Sequence, residues 1–510
     1  MVFPKRFACL SLGLVFILLI LGSCSPRDKK NNLPGSAVSQ VSAPTKNTDI
    51  EIAARYLDSL VKDTCFRNAG IGILVADMTT GKERILISCN ADMSLVPASV
   101  LKIFTTATAL ELLGGSKSFG TLLQYSGQIT GRTLAGNLYI RGGGDPAFEP
   151  ERAFDRWANA VRELDIDTIN GNIIGDARIF DRFPIPLTWT WGELNSAYGA
   201  AASGLTISGN VYELRARVNT RDPYRPGPGQ LEPYIANLVF HNHVSEADIA
   251  EESYYITGDP YGYEKHIEGW VPEGEKEFSC FGALPDPPAA AASLFLERLI
   301  QKGIYVTGGC YNYTRITDTS VQKTLAEKRI SFGSSFSPGV ATLVHIANQE
   351  SNNLYAEHLI KHIGLTRFHS GSDDSGARAM AEFWKSKGMD TGGLYLFDGC
   401  GISRYNGITA RQLVFVLQYM RKSPYADVFY NSLPLAGVTG TLRKMFNGTL
   451  AEGNLRAKTG TMSRVKSLTG YMRTKNNKNF VFAILLNNFN TSQQEVKQKL
   501  EKFFNGLMTL

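Results

Sequence analysis

The chain has 510 residues, 43% hydrophobic and 20% charged, with a formal charge of +6. That is enough for two or three domains with buried cores, in an ordinary globular composition. No basic block and no basic stripe interleaved with aromatics stands out, so nucleic acid is not an indicated partner.

At the N-terminus Lys5 and Arg6 precede an apolar run from Leu10 to Leu21, too short to span a bilayer comfortably but charged at its start as a secretory signal is. Leu21-Gly22-Ser23-Cys24 resembles a bacterial lipobox, which implies cleavage after residue 23 and a lipid on Cys24. Residues 24–48, rich in Ser, Pro, Asn and Lys, read as a flexible tether between a membrane and a folded body. Export permits disulfides, but Cys65, Cys89, Cys280, Cys310 and Cys400 are an odd set, contain no Cys-x-x-Cys and cannot be paired from sequence.

The periodicity predicts an amphipathic helix over 49–63 and strands over 70–77 and 83–88. Next comes the helix of Pro97 to Leu113, closed by Gly114-Gly115 and apolar on every side, as a buried helix is. Lys102 is out of place there, because an isolated buried ammonium costs several kcal/mol. Ser99 lies three residues before it on the same face, and a hydroxyl beside a lysine that favours neutrality is what an activated serine needs. Ser-x-x-Lys is short, however. It recurs at Ser59/Lys62, Ser320/Lys323 and Ser463/Lys466, where the lysine can point at water.

From about 121 to 330 strands alternate with helices, as at 137–141, 151–164, 170–176 and the helix after Asp286-Pro287-Pro288, which predicts an inserted α/β module. Within it, about 215–275 lacks helical period and reads as a nested β-rich insert. After Ser337-Pro338 the pattern turns helical, then gives strands at 455–459, 467–473 and 480–487 and a helix over 492–507. Residues 49–120 and 331–510 are thereby expected to form one domain, split by the insertion.

Two further motifs join Ser99 and Lys102: Ser351-Asn352-Asn353 in a turn between helices, and Lys458-Thr459-Gly460-Thr461 on a strand. Ser-x-x-Lys, Ser-x-Asn and Lys-Thr-Gly, in that order, are the motif set of serine β-lactamases and penicillin-binding proteins. With Gly142-Gly143-Gly144-Asp145-Pro146, the 398–406 stretch Asp-Gly-Cys-Gly-Ile-Ser-Arg-Tyr-Asn and the 433–442 stretch Leu-Pro-Leu-Ala-Gly-Val-Thr-Gly-Thr-Leu, the chain resembles family S13. These are the class C type low-molecular-mass penicillin-binding proteins, D-alanyl-D-alanine carboxypeptidases and endopeptidases. The 249-residue spacing from Lys102 to Ser351 fits that family's large insertion, whereas Asn352 and Cys400 depart from its usual Asp and Ser.

The resemblance implies an α/β (α+β) fold of the serine β-lactamase/transpeptidase type, a sheet flanked by helices. It also implies a cell-envelope enzyme facing the periplasm, acting on peptidoglycan stem peptides and acylated by β-lactam antibiotics, with no cofactor and no metal. Ser99 is the expected nucleophile and Lys102 its base. That requires the lysine pKa to fall about 3 units, through burial and the like charge of Lys458. Ser351 is expected to relay a proton, and Asn353 to hold Lys102 and the substrate amide. The N–H groups of Ser99 and Thr461 form the expected oxyanion hole. Thr459 and Gly460 border the substrate, whose carboxylate faces Lys458 and Thr459, while Arg404 and Glu193 are expected at the charged end of the stem. A β-lactamase-like hydrolase or esterase of the same fold and a catalytically silent cell-wall scaffold are the alternatives. His358 and His362 share a helix face but lack a third nearby ligand, so they read as surface or core histidines rather than a metal pair, and Gly142-Gly143-Gly144 lacks the helix start a phosphate loop needs.

Overall fold

The computed structural model describes residues 48–218 and 222–510; the predicted signal, Cys24 and nearly all of the tether lie outside them. The described chain is a mixed α/β fold, as expected. One sheet is antiparallel throughout and has five strands, ordered Leu455–Met462, Val465–Arg473, Asn479–Asn487, Gly70–Asp77 and Arg84–Cys89. Strands from both chain ends therefore meet in one layer. Asn479–Asn487 is buried at eight consecutive positions because it is central and covered on both faces. Helices Thr48–Val61 and Gln493–Leu507 pack on one side of it.

The other side carries the helix of Lys102. Every residue from Lys102 to Leu110 is buried, in a core shared with helices Val340–Gln349, Asn353–Phe368, Asp373–Ser386 and Ala410–Met420. Helical hydrogen bonding begins differently from expectation: Ala98–Leu101 is a 3-10 turn, and the α-helix proper spans Lys102–Leu113. Ala98 sits at φ 50°, and Gly401 presses so close that a Cβ there would meet the Ala98 oxygen at 2.0 Å.

The intervening segment builds a second core on its own sheets. One is ordered Cys310–Asn312, Ile173–Asp176, Leu138–Arg141, Gly120–Tyr125 and Ile330–Phe336, the last strand pairing six residues beyond the boundary expected at 330. Gly120–Tyr125, Gln128–Thr130 and Thr133–Ala135 are strands that the sequence did not reveal, because they are short and rich in Thr and Gln. Residues 211–283 hold two three-stranded sheets and, among the described residues, no helix. One pairs Val211–Arg217 with Leu231–Glu232 and Glu277–Ala283; the other pairs Glu264–Pro272 with Val239–Ala247 and Ser253–Thr257.

Buried polar side chains stitch this segment to helix Asn353–Phe368. His358 places Nε2 2.9 Å from Thr206 Oγ1, His362 donates to the Gly144 carbonyl at 2.8 Å, and Lys361 reaches Asp181 at 3.1 Å. Of the two placements the sequence left open, surface or core, these histidines take the core, and burial lowers their pKa values to about 4 and about 3. The five described cysteines are all free, and no described helix is long and apolar enough to cross a membrane.

Candidate active site

Ser99 lies in the 3-10 turn, at the mouth of the buried helix. Lys102 Nζ is 3.2 Å from its Oγ and donates to Asn353 Oδ1 at 2.7 Å and to the Cys400 carbonyl at 2.8 Å. The amine is wholly buried and surrounded by acceptors that hold it beside the hydroxyl. Lys458, equally buried, donates to Ser351 Oγ and to its neighbour Thr459's carbonyl, both at 2.9 Å. Ser351 is held at φ 58°, a left-handed conformation costly for a residue with a Cβ. Two lysine–serine pairs thus converge on one cleft from helix, turn and strand.

Gly460 lets the edge strand approach the serine turn. A Cβ there would lie 2.7 Å from the Pro97 oxygen and 3.1 Å from the Ser99 nitrogen. Ser467 ties the same corner, donating to the Pro97 carbonyl. The cleft, about 350 Å³, is lined among others by Ser99, Ser351, Thr441, Thr459, Thr461 and Lys466. Lys444 and Lys497 also border it. Thr459 Oγ1 donates to Thr441 Oγ1 at 2.8 Å, and Lys466 Nζ to Thr461 Oγ1 at 3.0 Å. An anion entering here meets hydroxyls and three ammonium groups.

Burial drives both site lysines toward neutrality, with different opposition. At Lys102 the Cys400 thiol, Glu357 and Asp398 pull the pKa back up, yet it remains below the usual 10.5. Lys458 has no acidic neighbour and is held well below that value by burial and by the charge of Lys102. Both site lysines are thus lowered in the direction expected, with burial the first cause at each.

The support beneath Lys102 is polar and buried. Glu357 Oε1 accepts the N–H groups of Gly399 at 2.9 Å and Cys400 at 2.7 Å, which aims the Cys400 carbonyl at the amine. Burial, Asp398 and Asp373 push the Glu357 carboxyl well above the ordinary range. Asp398 in turn accepts from the N–H groups of Gly401 and Ser403, from Asn406 and from Trp189.

Of the residues singled out from sequence, Ser99, Lys102, Ser351, Asn353, Lys458, Thr459, Gly460 and Thr461 come together. Asn353 departs in one respect: its Nδ2, expected to face the substrate, donates instead to the Tyr198 carbonyl at 2.8 Å. Arg404 is exposed on the 401–406 loop and Glu193 accepts the Thr190 hydroxyl; neither lines the cleft. Lys466 reverses its sequence reading. It is half-buried at the cleft, with its pKa lowered by burial and by Lys497. Tyr198 and Cys400 act through backbone carbonyls, which leave no mark in a sequence. Thr441 lay inside the 433–442 stretch already noted.

The chain matches the model of the D-Ala-D-Ala carboxypeptidase 3 (S13) family over residues 53–506. It is 31% identical over 430 residues to a D-alanyl-D-alanine carboxypeptidase of Actinomadura sp. (strain R39), covering 82% of this chain and 77% of that protein. It is 25% identical over 425 residues to the D-alanyl-D-alanine carboxypeptidase DacB of Haemophilus influenzae, covering 82% and 86%. Penicillin-binding protein 4 of H. influenzae superposes with a TM-score of 0.73 at 20% identity, over 90% of this chain and 99% of that one. The same protein complexed with a β-lactam gives 0.67 at 21%, over 89% and 98%.

Proposed function

This chain belongs to the D-Ala-D-Ala carboxypeptidase 3 (S13) family and is a serine-type D-Ala-D-Ala carboxypeptidase; we propose that it works through an acyl-enzyme on Ser99 and is blocked by penicillins at that residue. The observation that carries the reading is the paired geometry of two wholly buried lysines, Lys102 on Ser99 and Lys458 on Ser351, at one cleft.

In the proposed sequence Ser99 Oγ attacks the carbonyl carbon of the penultimate D-Ala and gives its proton to neutral Lys102 Nζ. The developing oxyanion sits against the N–H groups of Ser99 and Thr461, which the close packing at Gly460 supports. The C–N bond breaks as the proton taken from Ser99 passes from Lys102 through the Ser351 hydroxyl to the leaving nitrogen, releasing D-Ala and returning Lys102 to its neutral form while Lys458 holds Ser351 in place. Water then gives its proton to Lys102 and its hydroxyl to the ester carbon, and Ser99 leaves as the hydroxyl. Thr459, Thr461 and the cleft lysines hold the terminal carboxylate. When the leaving amine belongs to a second stem, the same steps open a cross-link, which is endopeptidase action.

Arg404 and Glu193 do not line the cleft, so their proposed contact with the charged end of the stem is made outside it. The proposed organisation is a penicillin-binding domain of residues 49–120 and 331–510 interrupted by 121–330, held to the envelope by a lipid on Cys24. The H. influenzae complex with a β-lactam supports penicillin as the probe.

Mass spectrometry after exposure to benzylpenicillin tests the reading. A stable adduct on the peptide containing Ser99 is expected, together with D-Ala release from a stem pentapeptide that disappears in Ser99→Ala. Rapid penicillin turnover without a lasting adduct would instead indicate a β-lactamase. Unchanged peptide cleavage in Ser99→Ala would remove the nucleophile.

A further inference from the structure

Of the chain's seven histidines, three gather on one solvent-facing patch far from the motifs used above in sequence: His241, His243 and His266. They sit on the parallel strands Val239–Ala247 and Glu264–Pro272, whose register sets His241 opposite His266 and His243 opposite Glu268. Alternation along each strand turns all four to the same face, while Phe240, Val244, Lys265, Ile267 and Val271 are buried on the other. A His-x-His strand beside a His-x-Glu strand makes a two-by-two grid of donor groups.

The grid is already drawn together. One donor atom from each of His243, His266 and Glu268 lies within 4.8 Å of the others, and His243 Nε2 is 3.9 Å from Glu268 Oε1. The His266 ring is nearly parallel to both neighbours, with centroids 4.6 Å from His241 and 5.8 Å from His243. His241 is itself fixed, with Nδ1 2.9 Å from Asp222 Oδ1, the imidazole–carboxylate contact that commonly orients rings around a metal. Packing does not demand these side chains: His243 and Glu268 are 44% and 40% exposed, unlike the buried histidines of helix Asn353–Phe368.

We propose that His243, His266 and Glu268 form a surface site for one divalent transition-metal ion of the zinc class, with His241 holding the His266 ring in place. Two imidazoles and a carboxylate suit zinc and its neighbours, whereas calcium and magnesium favour all-oxygen sets. Small side-chain rotations bring donors at these separations to metal-bond lengths near 2.0–2.2 Å. The site is independent of the peptidase reading, because none of its residues lines the cleft.

The test is titration of the untagged, folded chain with ZnCl2, by calorimetry and by competition with a chromogenic chelator. One Zn2+ per chain at micromolar affinity or tighter is expected, with Mg2+ failing to compete. His243→Ala and His266→Ala should each weaken binding about tenfold or more. His345→Ala, altering an exposed histidine on helix Val340–Gln349, should leave it unchanged, and penicillin acylation should be unaffected in all three. If an alanine variant does not fold, the near-isosteric Glu268→Gln serves in its place with the same expected loss. Absence of stoichiometric binding, survival of full affinity in the ligand variants, or equal competition by Mg2+ overturns the proposal.

Discussion

Replacing Gly460 by alanine separates the positioning of the serine turn from its chemistry. The added Cβ would lie 2.6 Å from Ser467 Oγ, a side chain that can rotate, but also 2.7 Å from the Pro97 carbonyl oxygen, which cannot. Ordinary contact begins at 3.4 Å, so the edge strand must retreat by about 0.7 Å, carrying the Thr461 N–H away from that of Ser99. A shift approaching 1 Å, or loss of one oxyanion donor, costs about 10²-fold in rate, roughly 2.7 kcal/mol of transition-state stabilisation. Acylation by a fluorescent penicillin, followed as a second-order rate, should fall by about that factor, while circular dichroism and the main unfolding transition stay close to wild type. Wild-type acylation in a folded Gly460→Ala protein would refute the claim that this close approach sets the oxyanion geometry.

Lys102→Arg puts a permanently charged group where the proposed base is neutral, and should lower acylation by about 10²–10⁴-fold. In the wild type, with both site lysines below 10.5, the acylation rate should climb as pH rises and level off before that value; a rate flat across the range would contradict the base assignment. Cys400→Ser should leave acylation within about twofold, because the group on Lys102 is the backbone carbonyl; a large loss would give the thiol a role. His358, with its folded pKa lowered from 6.5 to about 4, contributes stability that is present above pH 6.5 and lost as pH falls toward 4, about 3 kcal/mol in all. Asp145, raised to about 7 by burial, works in the opposite sense, so the quantity to measure is the difference in Tm between wild type and His358→Gln. That difference should shrink between pH 7 and pH 4.5, and a constant gap would count against the buried neutral imidazole.

Much of the site was legible because it depends on side-chain identity in strongly patterned segments. A helix apolar on every face that nonetheless contains Lys102 announces a buried amine, and the last three strands are long and punctuated by turns. Three things were not legible. Backbone acceptors, as at Cys400 and Tyr198, are independent of residue type. Short polar strands such as Gln128–Thr130 exist only because neighbours supply their hydrogen bonds. Across-strand partners need the register: His241-x-His243 is visible in the sequence, but its pairing with His266 and Glu268 is not. Lys466 shows the converse error, a lysine in a polar stretch that tertiary packing brings to the cleft rather than to bulk water.

The bond from Asn353 to the Tyr198 carbonyl has a practical consequence. The same asparagine grips Lys102, so the segment between residues 121 and 330 supplies an atom to the proposed catalytic cluster. Designers wishing to miniaturise this hydrolase by excising the loop and rejoining the ends would not obtain a trimmed catalyst. They would leave a key amide dangling, two imidazoles and an ammonium stripped of cover, and an indole missing from Asp398.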